Sequence, residues 1–390
     1  MQTIYFDYNA TTPLDERVRE AMLPYLGEVF GNPSSVHHVG RRARALLDGA
    51  RERVAEIWRA KPSEVVFTSG GTESSNLALF GVARHFREKG RHIITSAVEH
   101  HAVLHGCEYL AKKEGYEVTY LPVDGTGRVN VESLRGAIRS DTVLVSIMAA
   151  NNETGTIQPI AELGAVCRER GVLFHTDAVQ WFGKEPFESI HQFNADLVSV
   201  CAHKFHGPKG VGALFVRSPL LPDPILFGGG HENERRAGTE NLAAIIGFVE
   251  ASAQFIRTPV FSKERLLPLA NRLLALVKAL SKQGVTFRGS HEHRLHNTVS
   301  FTVRGCDSMT LLAGLDLEGV CASSGSACSA GSLEPSHVIM ALGVERQEAN
   351  SLVRFSLGRE SSVNEVEAVE RILGNIICRG QAFQQPKNGV

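Results

Sequence analysis

Between residues 65 and 216 the chain alternates between two rhythms of apolar and polar positions. Short, nearly continuous apolar runs have the length and β-branched content of strands: VVFTS (65–69), HIITS (92–96), EVTYLP (117–122), TVLVSIM (142–148), VLFHTD (172–177), DLVSVCA (196–202) and ALFV (213–216). Between several of them lie ESSNLALFGVARHFREKG, VNVESLRGAIR and PIAELGAVCRERG, whose apolar residues recur every three or four positions, as on one helix face. Strand–helix alternation predicts a mostly parallel sheet covered on both faces. In such sheets ligands bind beyond the carboxyl ends of the strands.

After residue 216 the rhythm changes. A Gly-rich stretch, GGGHENERRAGTEN (228–241), closes the first block, and a helix is expected from about Asn241. The amphipathic segment SKERLLPLANRLLALVKALSKQG (262–284) reads as a connecting helix that Pro268 should bend or delay. Strands TVSFTV and VRFSLG then mix with helices PSHVIMALG and NEVEAVERILGNIICRG, which predicts a second, smaller α+β domain from about residue 257.

Composition narrows the classes. Across 390 residues, 41 Lys and Arg nearly cancel 42 Asp and Glu, for a net charge of −1, which argues against a general nucleic-acid surface. No apolar run reaches the roughly 18 residues of a membrane helix. The start, MQTIYFDYNATT, lacks the basic and apolar regions of a secretory signal. Seven cysteines (107, 167, 201, 306, 321, 328 and 378) are an odd number with no C-x-x-C pair. That fits neither a disulfide framework nor a structural zinc site, and a cytoplasmic setting is expected.

Chemistry-bearing residues gather at the predicted strand ends. SGGTE (69–73) follows a strand and opens a helix, so the glycines Gly70 and Gly71, the free N–H groups and the Thr72 hydroxyl suit a phosphate, although a capped tight turn has the same residues. Asp177 ends VLFHTD, where a carboxylate needs a partner such as a protonated ring nitrogen, or else caps a helix; Gln180 lies one turn on. Lys204, in CAHK (201–204), follows an apolar strand, and desolvation there gives the low pKa of a Schiff-base amine; Lys209 by contrast reads as a surface lysine. Asn151, Asn152 and Glu153 offer amides for a phenolic oxygen or a carboxylate, or form a turn. His100 stands at a strand end, suited to stacking on a ring or exchanging protons, while His101 and His105 read as surface residues of the next helix. SSGSACSAGS (323–332) consists of small residues around one cysteine, Cys328, either an exposed reactive thiol or an incidental one in a linker. Arg354, in VRFSLGR, has the fork that grips a carboxylate, or makes a structural ion pair. Together these are the parts of a pyridoxal 5′-phosphate enzyme acting on an amino acid.

The motifs YFDYNATTP, FGNPSSVH, VVFTSGGTESSNLAL, EHHAVL, ANNETGTIQPI, HTDAVQ, AHKFHGPKGVGAL, RRAGTEN, SSGSACSAGSLEPSHV and VRFSLGR, in this order, resemble the NifS/IscS-type cysteine desulfurases of the aminotransferase class V group over nearly the whole chain. The resemblance implies an α/β fold of the aspartate aminotransferase type, with a mostly parallel seven-stranded sheet in a large domain (15–256). A smaller α+β domain (257–390, with 1–14) would carry the cysteine loop. It implies a homodimer, pyridoxal 5′-phosphate as cofactor and L-cysteine as substrate. On it, Lys204 carries the cofactor, Asp177 pairs with the ring nitrogen and His100 stacks on the ring. Asn152 and Gln180 approach the phenolic oxygen or the substrate. Gly71, Thr72, Cys201 and His203 hold the phosphate, and Thr239 reaches the phosphate of the neighbouring subunit's site. Arg354 binds the substrate carboxylate and Cys328 receives the sulfur. Cys201 and Ala202 stand where many housekeeping relatives have Ser and Gly, which weakens one phosphate contact because a thiol donates poorly.

The resemblance further implies sulfur transfer to iron–sulfur scaffolds or other acceptor proteins, tRNA thiolation among the outlets, with no direct nucleic-acid or membrane contact. No resident metal is expected, Cys328 being at most a transient iron–sulfur ligand. Selenocysteine or cystine lyase activity on the same ring chemistry, and a non-catalytic sulfur relay, are the competing expectations. A metal hydrolase is disfavoured by the absence of H-E-x-x-H.

Overall fold

The computed structural model describes residues 3–325 and 334–384. All the strands expected before residue 217 form, and they join one seven-stranded sheet. Its order is Val65–Thr68, Gly212–Val216, Leu197–Cys201, Leu173–Asp177, Thr142–Ser146, His92–Ser96, Glu117–Leu121. Every pairing is parallel except those of Gly212–Val216, which runs antiparallel to both neighbours.

Side-chain parity explains why the strand sequences read as unbroken apolar runs. Phe67, Ile94, Val145, Phe174, Val198 and Phe215 point to one face and join a cluster with Trp58 and Phe248. Val66, Ile93, Leu144, Leu197 and Leu214 point to the other face and pack on Leu79 and Val103. Both faces are buried, so alternate positions are both apolar. The helix Gly71–His85 covers the second face, that of Asp177 and Cys201 by the same parity, and its N-terminus lies at the carboxyl edge.

The later part of the chain forms a three-stranded antiparallel sheet, Val353–Ser356, Thr298–Val303, Val285–Arg288, around its own apolar cluster with Phe301, Phe355, Leu273 and Val369. The first residues of the chain return to this region. Ile4–Tyr5 pairs in parallel with Val320–Cys321, and Asp7 bridges Ser356. Of the two effects expected of Pro268, a delayed start does not occur. The helix Lys263–Ala279 starts before Pro268 and keeps it inside. Pro268 falls in the second turn, where its missing N–H leaves only the carbonyl of Glu264 without a donor, and Glu264 is exposed to water. No helix among the described residues is long and apolar enough to cross a membrane.

The Gly-rich stretch is pinned to the sheet by a buried ion pair. Arg51 Nη2 lies 2.5 Å from Glu232 Oε1, and Glu232 Oε2 also accepts the Phe67 N–H at 2.9 Å. Glu232, Asn233 and Glu234 all take positive φ, a strained run for side chains with a Cβ. Glu232→Ala should therefore destabilise the protein by about 3–5 kcal/mol, because it strands the Arg51 charge in the interior. Urea unfolding followed by tryptophan fluorescence measures this, and a change below about 1 kcal/mol would contradict the buried pair.

Candidate active site

The carboxyl edge of the large sheet opens into a cavity of about 220 Å³. It gathers most residues singled out above: Gly71, Thr72, His100, Asn152, Asp177 and Gln180, and also Cys201, His203, Lys204 and Arg354. Of the site residues that the resemblance implies, two are missing from this lining: Thr239, which is exposed, and Cys328, which lies outside the described residues. Asn9 and Ala10 line the cavity too.

One end is built for an anion. Gly70 caps the 15-residue helix Gly71–His85 without any side-chain hydrogen bond, so its first N–H groups are unsatisfied by a cap. Gly70 has φ 151° and ψ −175°, a conformation open essentially to glycine alone. A Cβ on Gly71 would stand 2.7 Å from Val179 Cγ2, so glycine is needed for the helix to reach the edge. Glu73, in the same turn, does not face the cavity. It accepts the Ser69 N–H at 2.8 Å and pairs with Arg236 at 2.8 Å.

The other end is built for a cation. Asp177 is buried, and among the described residues its carboxylate accepts only the Val179 N–H, at 3.0 Å. Burial pushes the acid up to about 6, although Val179 and Lys204 oppose the shift. A buried carboxylate with one neutral donor is short of a counterion.

Lys204 lines the same cavity. Its Nζ donates to the main-chain oxygens of Asn9 and Ala10 at 2.8 and 2.7 Å. Burial, with Arg354 adding to it, lowers its pKa from the ordinary lysine value against the pull of Cys201, Asp7 and Asp177. His100 caps the helix His101–Glu114, its Nδ1 accepting the Ala102 N–H at 3.1 Å. Burial, with Lys204 and the neighbouring imidazoles adding, pushes His100 down to about 4. The ring is therefore neutral near pH 7, and its remaining proton sits on Nε2, as the hydrogen bond to Nδ1 assigns it. His203 is likewise pushed down to about 4 by burial and by Lys204, and its Nδ1 lies 3.1 Å from Thr11 Oγ1.

Arg354 is buried and already engaged. Nη1 donates to Asn152 O and Nη2 to Asp7 Oδ1, both at 2.7 Å, while Nε has no partner among the described residues. A carboxylate entering the cavity therefore meets a guanidinium that Asp7 partly neutralises. The ANNE turn divides its labour. Asn151 Oδ1 accepts the N–H groups of Glu153 and Thr154 and so builds the turn, while Asn152, and not Asn151 or Glu153, lines the cavity beside Ala150. His105 is exposed as expected, but His101 is half-buried, stacked on His105 at 4.7 Å and near His337 at 4.8 Å.

This donor set fits pyridoxal 5′-phosphate. The helix N-terminus matches a phosphate, the underpartnered Asp177 a protonated ring nitrogen, and a desolvated amine lines the same cavity. Asn9, Asp7 and Lys184 escaped the sequence reading. Asn9 sits in a motif with no strand or helix rhythm, and only the fold brings it to Lys204. Lys184 did leave a signal: it falls four residues after Gln180 in the apolar run WFGKEPF.

Comparison with known proteins gives one consistent picture. Residues 4–369 match the family model described as Aminotransferase class-V. The chain is 47% identical over 374 residues to "Cysteine desulfurase IscS" of Dictyoglomus turgidum, covering 96% of this chain and 94% of the relative. A solved structure described as "NIFS-like protein" superposes with a TM-score of 0.88 at 37% identity, covering 97% of this chain and all (100%) of that one. Another, described as "SspA in complex with cysteine", has a TM-score of 0.79 at 36% identity and covers 92% and 100% of the two chains.

The unpaired Asp177 has a measurable cost in the cofactor-free protein. Its folded pKa is raised, so its contribution to stability is fully present below the ordinary value of 3.8 and is lost as pH rises through about 6. The loss is about 3 kcal/mol. Asp177→Asn keeps the acceptor for Val179 and removes the loss. The variant should gain that amount on the wild type between about pH 4 and pH 8, read by urea unfolding of the cofactor-free forms. A pH-independent difference would contradict the unpaired carboxylate.

Proposed function

The chain belongs to the aminotransferase class-V family, and on that premise we propose that it is a pyridoxal 5′-phosphate-dependent cysteine desulfurase. It converts L-cysteine into L-alanine and passes the sulfur on as a persulfide of Cys328. The observation that carries this reading is the gathering of Lys204, Asp177 and the Gly71 helix N-terminus in one cavity that Arg354 also lines. The neighbour described in complex with cysteine supports the substrate.

When bound, pyridoxal 5′-phosphate supplies an aldehyde that condenses with amines and a ring that accepts the electron pair left on Cα. The rest falls to residues of the chain. Gly71, Thr72, Cys201 and His203 hold the phosphate. Asp177 would keep the ring nitrogen protonated, and His100, Asn152 and Gln180 would hold the ring and its phenolic oxygen. Lys204 would anchor the cofactor and would take the Cα proton of the substrate. Its desolvation lowers its pKa, which favours the free base that this task needs. Arg354 grips the substrate carboxylate, and His100 manages the thiol proton through Nε2. Cys328 then attacks the substrate sulfur as a thiolate. The Cβ–S bond breaks, an S–S bond forms, and the carbon skeleton leaves as L-alanine.

The assembly we propose is a homodimer. Thr239 supports it, being exposed and away from its own cavity, where it is free to reach a neighbouring subunit's phosphate. The segments bearing the exposed Phe30 and Phe227 meet where Ser34 Oγ lies 3.2 Å from His231 Nε2. We take 15–256 as the large domain and 257–390 with 1–14 as the small one. The apolar clusters support this, changing between Ile256 and Phe261. Iron–sulfur scaffold proteins are the acceptors we propose, with tRNA thiolation a second outlet. The cytoplasm is the proposed location, which the free state of Cys107, Cys167, Cys201, Cys306, Cys321 and Cys378 supports.

Turnover of L-cysteine, read as alanine released, tests the scheme. Cys328→Ser should lower it about 100-fold or more while the visible cofactor band persists. Full turnover in that variant would remove Cys328 from the reaction. Borohydride should fix pyridoxyl mass on the peptide containing Lys204 in the wild type and none in Lys204→Ala.

A further inference from the structure

A second lysine is enclosed beside the cavity, and the chemistry above gives it no task. Lys184 is 1% exposed, and among the described residues it forms no ion pair with any carboxylate. Its Nζ donates to Asn9 Oδ1 at 2.8 Å and to Gln180 Oε1, and lies 5.3 Å from the centroid of Phe261. Its sequence neighbour Glu185 faces His296 instead, at 3.4 Å. Burial drives its pKa far down, Lys204 and Arg354 add to the shift, and Glu185 alone opposes it. Two amide oxygens need two N–H donors, and the amine has two in either charge state.

Those two bonds fix two amides. With Oε1 held by Lys184, Gln180 must turn its NH2 group the other way, where Nε2 donates to Asn9 O at 2.9 Å beside the cavity. Asn9 Oδ1, shared by Lys184 and by Asn297 Nδ2 at 3.2 Å, turns Asn9 Nδ2 toward Thr298 Oγ1 at 2.9 Å. The main-chain oxygen of Asn9 is thereby left for Gln180 and for Lys204, 2.8 Å away.

We propose that Lys184 is a positioning residue that locks the Gln180 amide, so that this side chain presents a donor and never an acceptor to the phenolic oxygen of the bound cofactor. The proposal rests on the reading of the cavity as a pyridoxal 5′-phosphate site. A donor stabilises negative charge on that oxygen, so the nitrogen joining the cofactor to Lys204 holds its proton less tightly. The pH midpoint of the cofactor's visible absorption reports this directly. Cys201, Arg354, Asp7, Asp177, His100 and His203 also act on that nitrogen's surroundings and stay the same in every variant below.

The experiment titrates the visible band of wild type, Lys184→Met, Gln180→Met and the double variant, each with its bound cofactor quantified. Both single variants should raise the midpoint by about one pH unit, the effect of one hydrogen bond, and the double variant should go no further than Gln180→Met. A wild-type midpoint in loaded Lys184→Met overturns the proposal, as does one in Gln180→Met. If Lys184→Met does not accumulate folded, Lys184→Gln, which keeps an N–H donor, must fall between wild type and Gln180→Met; a midpoint outside that interval overturns it. A wild type with no visible band would remove the reading of the site itself, a result distinct from an unmoved midpoint in a loaded variant.

Discussion

The site depends on a short segment that belongs to both halves of the molecule. Residues 4–15 begin beside Val320–Cys321, lie along Ser356 through Asp7, Tyr8 and Asn9, and end on the large sheet's loop at His203 and His206. Midway, the carbonyls of Asn9 and Ala10 take both hydrogen bonds of Lys204. The segment therefore stitches two apolar clusters together at the point where the amine must be dry. Arg354 comes to the same seam from the small sheet, through Asp7 and the Asn152 carbonyl. The cavity exists only where the two sheets are held against each other.

What the seam encloses is a set of groups held away from their ordinary charge states. Asp177 is raised, while His100, His203, Lys204 and Lys184 are lowered, each chiefly by burial. Glu99, next to His100, is pushed up to about 8 by burial even with Ser96 and Met148 donating to it. A core built for stability alone would fill these positions with apolar side chains. Their concentration at one strand edge marks a place where stability is given up for chemistry. Deeper in the sheet a buried imidazole is fully satisfied. His175, two residues before Asp177 on the same face, bonds Ser146 and Ser199 through its two nitrogens at 2.8 and 2.9 Å.

Local sequence was enough for the scaffold and for the residues at its strand ends. Seven apolar runs became seven strands, because burial on both faces writes itself into every position of a strand. Gly70, Gly71, Asp177 and Lys204 were legible for a related reason. Each is an anomaly in its own surroundings: a glycine pair opening a helix, or a charge closing an apolar run. Where alternatives were open, the fold decided between them. Asn151 builds the turn and Asn152 faces the cavity, a division their shared motif does not reveal. Pro268 sits inside its helix because its second-turn position faces water, which the residue type alone does not show.

The sequence by itself determined the rhythm of the sheet, the edge at which a ligand binds and the kinds of group gathered there. These follow from periodicities of two and 3.6 residues and from the solvation cost of single charges. Tertiary structure alone decided that Asn9, about 195 residues from Lys204 in sequence, supplies the oxygen the amine binds. It also decided that Asp7 shares Arg354 and that Lys184 turns the Gln180 amide. Hydrogen bonds between residues far apart leave no periodic trace in the chain, since their partners are chosen by packing.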